Sequence, residues 1–272
     1  MIYCRWSPTL GSLEDTAENI WGTPEYEGDR EEPTVFFGLY GFPDFYSLWH
    51  HRGKKYILWA GSDIRHFSQG YWLERDGVVK LDPKPLALWI QRNCESYVEN
   101  KVEQVALEKW GIMSHIVPSF LGNIDDYDVS YTHSDIPRVY TSVSGDEFEL
   151  YGWDKIPDLA RKNPNIEFHL YGSDSYKLNL PNVFSHGRVS KEQMNEEIKH
   201  MQGALRLTEF DGFSEILAKS ILWGQWPLSI IRYPHILAVE ELFTLKDKHE
   251  SNSNGRWYYR ENLNQFPWNQ KK

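Results

Sequence analysis

At 272 residues the chain suits one large or two modest domains. An apolar share of 40%, with 15% aromatics, supports a sizeable core, and a net charge of −10 speaks against a broad nucleic-acid footprint while leaving room for a local nucleotide site. No run approaches ~20 apolar residues, so no helix is expected to span a membrane.

The opening MIYCRWSPTLGS has neither the basic nor the apolar region of a signal peptide. Cys4 and Cys94 read as two free thiols of a reducing compartment, which places the chain in the cytoplasm as an expectation. In chain order, Ile2 to Trp6 reads as a strand and Leu13 to Trp21 as a helix capped by Ser12. Thr34 to Tyr40 (TVFFGLY) is a buried-type strand, Gly41-Phe42-Pro43 a turn, Asp44 to His51 a short helix and Lys55 to Ala60 the next strand. Strand, helix, strand with short links is a parallel βαβ unit. Residues 64–84 read as loop-rich, Pro85 to Arg92 is of ambiguous type, and Glu95 to Trp110 reads as one helix with Val98, Val102, Val105, Ala106 and Trp110 on a side. His115 to Phe120 is a strand, and the polar stretch Leu121 to Pro137 is the expected domain boundary.

The second half alternates more cleanly. Strands are expected at Arg138–Val143, Ile166–Tyr171 and Val183–His186, with helices at Leu150–Lys162, where Pro157 intrudes, and Lys191–Met201. Gly203 to Arg232 then reads as strand, tight turn, helix, strand. Phe213, Ile216, Leu217, Ile221 and Leu222 form the helical stripe, and Gly224 stops it. A turn that leaves a strand and opens a helix gathers free N–H groups and the positive end of the helix dipole, which suits phosphate or sugar hydroxyls. Ligands of such sheets lie at the carboxyl ends of the strands, where the glycine turns at Gly145, Gly172, Gly187 and Gly212 fall. Ile236 to Leu245 reads as a helix and Trp257 to Trp268 as an aromatic tail.

The motifs HLYGSD, HGRVSKEQM and ALRLTEFDGFSEILAKSILWGQWPLSII, in that order, resemble the donor-binding domain of retaining GT-B-fold glycosyltransferases of the large family-four group. TVFFGLYGFPDFYSLWHHRGKKYILWAGSDIRHF and HIVPSF resemble parts of the acceptor domain of that family. The resemblance implies an α/β chain of two Rossmann-like domains facing a cleft, the N-terminal one reduced. Residues 1–135 would be the acceptor side, 136–235 the donor side, and 236–272 a helix and tail packing back on the first domain. It implies a hexosyltransferase-like enzyme that takes a nucleotide-sugar (UDP-, GDP- or another NDP-sugar) as substrate. Transfer would be to a glycan, lipid or small molecule, with retention, without a bound metal and without a tightly held cofactor.

By the same resemblance, Gly172, Gly187 and Val189 would meet base and ribose, with Arg188 beside them as a donor-side candidate for the diphosphate. Asp211, Gly212, Phe213 and Ser214 would hold sugar and diphosphate. Catalytic candidates are Asp211, Asp63 and Glu209; Gly41, Ser62, Arg65 and His66 lie on the acceptor side. The chain also departs from the family. Lys219 stands where the second acid of an acid-x7-acid pair belongs, with Glu215 one turn earlier; the family's diphosphate cations fall near Ser144 and Tyr151, leaving Arg206, Lys155 or Lys219 to supply charge; and Ala60 replaces a histidine before Gly61-Ser62-Asp63.

Each candidate has a plainer reading. Asp211 and Ser214 suit helix caps, Lys219 an exposed helix position, Arg206 a structural pair with an acid, Glu209 and Arg188 solvated turns, and Asp63 with Arg65 a surface pair. The histidines show no zinc spacing. A non-catalytic GT-B binding or partner protein is the main competing function. A viral-type nucleic-acid base glycosyltransferase is a further one, opposed by the charge, and peripheral contact with a membrane and the oligomeric state are left open.

Overall fold

The computed structural model describes residues 1–13, 21–72, 80–119 and 124–271. The helix expected at Leu13 to Trp21 falls largely outside them. The chain forms two compact units. The first comprises Met1–Asn123, Phe210–Phe213 and Tyr259–Lys272; the second comprises Ile124–Glu209 and Ser214–Tyr258.

The first unit is built on a five-stranded parallel sheet. Its strands are β1 (Tyr3–Trp6), β2 (Thr34–Phe37), β3 (Lys55–Leu58), β6 (Glu95–Val98) and β7 (Ser114–Ile116), in that spatial order. Helices α1 (Phe42–His50), α2 (Ser62–Gln69), α3 (Pro83–Asn93) and α4 (Lys101–Glu108) connect them, with a small antiparallel ribbon of β4 (Tyr71–Trp72) and β5 (Lys80–Leu81). The strands read as unbroken apolar runs because both sheet faces are covered. Phe36 and Ile57 enter a core with Phe45, Leu48, Phe67 and Ile90. Their neighbours Val35, Phe37, Tyr56 and Leu58 point to the opposite face, against Trp21, Phe266 and Trp268. The end of the aromatic tail thus supplies one of the two covers of this sheet, while Trp257 at its start stays exposed.

Two expectations for this unit are corrected. Of the residues expected to be loop-rich, 64–84, the described ones (64–72 and 80–84) hold α2, the ribbon strands and the start of α3, whose N-cap Asp82 accepts the Lys84 N–H; residues 73–79 lie outside the described ones. Glu95 to Trp110 is not one helix. Its first residues pair with β3 and β7, and Asn100 caps α4 by accepting the Glu103 N–H at 3.1 Å. Val102 and Val105 face outward, and Glu103 and Leu107 face inward. Strand pairing across the sheet has overridden a local helical pattern.

The second unit has a six-stranded parallel sheet in the order β10-β9-β8-β11-β12-β13. These are β8 (Arg138–Ser142), β9 (Glu167–Tyr171), β10 (Val183–Gly187), β11 (Gly203–Arg206), β12 (Leu228–Ser229) and β13 (Leu237–Ala238). Helices α5 (Ile156–Lys162), α6 (Lys191–Ile198) and α7 (Glu215–Leu222) alternate with them, and α8 (Ser253–Asn262) follows a 3-10 helix at Val239–Asp247. Pro157 sits in the first turn of α5, so the helix begins there rather than at Leu150. Likewise the segment expected as a helix from Ile236 is a two-residue strand followed by the 3-10 helix. Val139, Phe168, Leu170, Leu205 and Leu228 form the core with Trp153 and Leu242. Among the described residues, no helix is long and apolar enough to cross a membrane.

Candidate functional site

The chain runs outward from β8 to β10, then returns to start β11 on the other side of β8. The order reverses there, and the crevice outside the carboxyl ends of β8 and β11 is where parallel α/β sheets bind ligands. Arg206 ends β11, and its guanidinium lies over the Tyr151 ring at 4.7 Å. Three residues on, Glu209 is exposed and pairs with Lys155 at 3.1 Å. Gly152, at φ +71°, lets this loop close on β11: a Cβ there would fall on the Leu207 carbonyl. Thr208 and Ser214 follow on the way into α7, and each has an Oγ out of solvent with no hydrogen-bond partner among the described residues. Ser214 is the α7 N-cap but makes no side-chain cap bond.

Beside this point the loops after β8, β9 and β10 are stitched together. Asp146 accepts the Ser173 hydroxyl at 3.0 Å and has the Arg188 guanidinium at 4.0 Å. Asp174 accepts the Arg188 N–H at 3.1 Å, and Gly187 leaves room for that carboxylate. Gly172, at φ +98°, has no space for a Cβ against the Val143 carbonyl. Val189, half-buried, continues this edge. Lys219 is not an exposed helix lysine. It is 8% exposed, with Nζ at 2.9 Å from Glu215 and 3.0 Å from the Asn195 side-chain oxygen. Burial alone would push the Glu215 carboxyl up, but Lys219 and Lys191 outweigh it and hold it below its ordinary value.

The other sequence candidates gather in the first unit, at the carboxyl ends of β2, β3 and β6. Asp63 is wholly buried, and its two oxygens accept the N–H groups of Leu39 at 2.9 Å and Ala60 at 3.0 Å. Burial raises it to about 7 despite those donors. It ties the end of β2 to the end of β3. Asp44, which was not singled out from sequence, does similar work, accepting Arg5, the Ser7 hydroxyl and the Tyr40 N–H. Ser62 donates to the Tyr40 hydroxyl at 3.2 Å, and the exposed His66 meets the Tyr40 ring edge-on at 5.7 Å. Gly41 is the N-cap of α1 in extended backbone, and Arg65 is half-buried on α2.

Phe210–Phe213 packs with this first unit. Phe210 joins its core, and Phe213, 2% exposed, faces the Tyr259 ring at 4.8 Å. Asn100 Nδ2 donates to the Asp211 carbonyl at 2.7 Å, and the Phe213 N–H donates to Glu99. Gly61 and Gly212 meet so closely that a Cβ on Gly61 would fall on the Gly212 nitrogen. Glu99, Asn100 and Glu103 were missed from sequence because they were placed inside a helix. The Asn-x-x-Glu spacing of Asn100 and Glu103, a capping pattern, is the signal that marks the helix start.

No family model matches the chain, and neither does any curated protein. Solved structures do match. TarM superposes with a TM-score of 0.54 at 11% identity, over 94% of this chain and 55% of TarM. The chain has the GT-B glycosyltransferase fold. Sucrose-phosphate synthase from Thermosynechococcus elongatus gives 0.53 at 12% identity, covering 94% of this chain and 73% of that one. An alpha,alpha-trehalose-phosphate synthase (UDP-forming) from Burkholderia vietnamiensis gives 0.52 at 8%, covering 86% and 70%. A mutant TarM from S. aureus, in complex with Fondaparinux, alpha-GlcNAc-glycerol and UDP, gives 0.54 at 12%, covering 86% of this chain and 53% of that one. The chain thus spans little more than half the length of TarM.

Proposed function

We propose that this GT-B chain binds a nucleotide-sugar and transfers its sugar to an acceptor. The carrying observation is the reversal of strand order between β8 and β11, with Arg206 at the end of β11 over the Tyr151 ring and Lys155 paired with Glu209 on the stretch between β11 and α7. Those cations and the α7 N-terminus would neutralise a leaving diphosphate. The unpaired Ser214 hydroxyl would take one of its oxygens. Gly172, Gly187, Arg188 and Val189 would line the nucleoside part, and Asp211 would meet the sugar. Asp63, held by two backbone donors, would support the turn rather than react. Retention, a hexose donor and independence of metal follow from the family resemblance. UDP is the first nucleotide to test, because a TarM structure of the same fold holds it.

The test is thermal unfolding with UDP, GDP and ADP in turn. At one hundred times its Kd a bound nucleotide adds about 2.7 kcal/mol. The shift should shrink in Arg206→Ala and in Lys155→Ala. A melt that no nucleotide moves overturns the reading. A second reading, binding without turnover, is favoured by Lys219: the residue in the place of the family's second acid is spent on Glu215 and Asn195. Sugar transfer or donor hydrolysis by the wild type, lost in Asp211→Ala, would exclude it.

A further inference from the structure

Glu99 follows the last residue of β6, is 3% exposed, and has both oxygens in use. One accepts the Ser119 hydroxyl and the other the Phe213 N–H. Its neighbour Asn100 donates to the Asp211 carbonyl. Two consecutive residues therefore grip the backbone of a loop more than a hundred residues away, on either side of Gly212. Gly212 has no room for a side chain, since a Cβ would fall on the Glu99 carboxyl.

The grip uses a carboxyl in crowded acidic surroundings. Glu103, fully buried on α4, accepts Glu99's own N–H at 2.7 Å. Asp211 on the loop and Asp63 on α2 add negative charge, and the Tyr40 hydroxyl faces the same cluster. Buried carboxyls this close keep protons rather than all ionise. A protonated Glu99 still accepts the Phe213 N–H on one oxygen and donates to Ser119 from the other. An ionised Glu99 leaves an unbalanced charge under Asp211.

We propose that Glu99 is a positioning residue: with Asn100 it sets the Phe210–Phe213 loop, and so Asp211, on the first unit, and it does so best while it carries a proton. This rests on the reading of Asp211 as the sugar contact, and the hold on the loop is itself open to separate test. Burial first, then Asp211, raise Glu99 to about 8 against the backbone N–H groups of Phe213 and Ser119, which lower it; burial first, then Glu99, also push Glu103 well above its ordinary value. The sign follows. A folded value above the ordinary 4.5 means that stabilisation is complete below about pH 4.5 and is lost as pH rises toward 8.

The experiment is hydrogen exchange of the peptide spanning residues 208–216, corrected for intrinsic rates, at pH 6 to 9, in the full chain. Wild type should lose protection across that range more than reference peptides from β2 and β3 do. Glu99→Gln, which accepts from Phe213 and donates to Ser119 without titrating, should keep the protection and flatten its pH profile. Glu99→Ala should exchange roughly ten- to hundredfold faster throughout. If Glu99→Ala fails to fold, Ser119→Ala, which removes the hydroxyl partner of Glu99 and keeps the backbone N–H at that position, should move the midpoint of the wild-type profile. The proposal is overturned if Glu99→Gln keeps the wild-type profile, or if Glu99→Ala or Ser119→Ala changes nothing. The rise in melting temperature with UDP, GDP and ADP is measured alongside. No rise with any of the three and an intact loop response sinks the donor reading, and a rise with an unresponsive loop sinks the role of Glu99.

Discussion

Gly61→Ala tests directly whether Phe210–Phe213 is seated on the first unit. Gly61 has φ +80° in the turn between β3 and α2, and an added Cβ would collide with the Gly212 nitrogen, with the Asp211 carbonyl carbon at 3.0 Å behind it. Two costs add. Gly61, at φ +80° and ψ −85°, holds a strained positive-φ backbone that costs an L-residue about 1–3 kcal/mol. Overpacking against backbone, which has no flexible end to swing aside, costs a further ~1–3 kcal/mol. Gly111 is the control, because it has φ +78° and nothing within 4 Å of a Cβ. Gly111→Ala thus carries a positive-φ cost without a clash, and Gly61→Ala should exceed it by about 1–3 kcal/mol or more. Urea unfolding, read by hydrogen exchange of first-unit peptides, separates this unit from the second. The midpoint should fall further for Gly61→Ala at unchanged slope. Equal losses in the two variants would refute the seating of the loop on that turn.

Lys219→Met keeps the buried stem and removes the charge. With Glu215 still near Lys191 and its side chain 42% exposed, the expected loss is about 1–2 kcal/mol by denaturant melt. The Glu215 carboxyl should rise in an NMR titration of the same variant. Trp268→Ala empties a site that is 0% exposed, where the ring meets Phe266 at 4.8 Å and Tyr97 at 4.9 Å. It should cost about 3–5 kcal/mol, and unfolding of first-unit peptides under conditions where second-unit peptides stay protected would show that the tail is part of that core.

The parts of the fold that were legible in sequence are those where a local pattern and the tertiary environment agree. TVFF and KYIL read as strands because burial on both faces leaves them no polar alternation to obscure. The second half reads well because a glycine with no room for a side chain, Gly172, marks the end of β9. The stretch from Glu95 to Trp110 misled because Val98, Val102, Val105 and Ala106 recur at helical spacing, while the pairing of β6 with β3 and β7 is non-local. Glu99 and Glu103 were hidden for a deeper reason. Acidic residues are rarely buried without partners, and the partners here are an N–H at Phe213, a hydroxyl at Ser119 and backbone near Asn100. Only the folded chain brings Phe213 to Glu99.

Tyr151 carries the argument for function furthest. The family resemblance places a lysine there, and its absence counts against diphosphate binding. The structure puts the Arg206 guanidinium over that tyrosine ring at 4.7 Å, so a positive charge occupies the surroundings of the missing one but arrives from β11. An aromatic face attracts a guanidinium and orients its plane while leaving its edge N–H groups to bond anions. The exchange of a flexible lysine for a stacked arginine preserves charge and changes geometry from a point to a fork. Lys155, one turn along at Glu209, supplies a second cation that an incoming anion can draw from a solvent-exposed partner at little cost. Under the proposed function, the charge absent at position 151 would be supplied within the same unit, which answers one of the departures that favour a non-catalytic protein and leaves the Lys219 exchange standing.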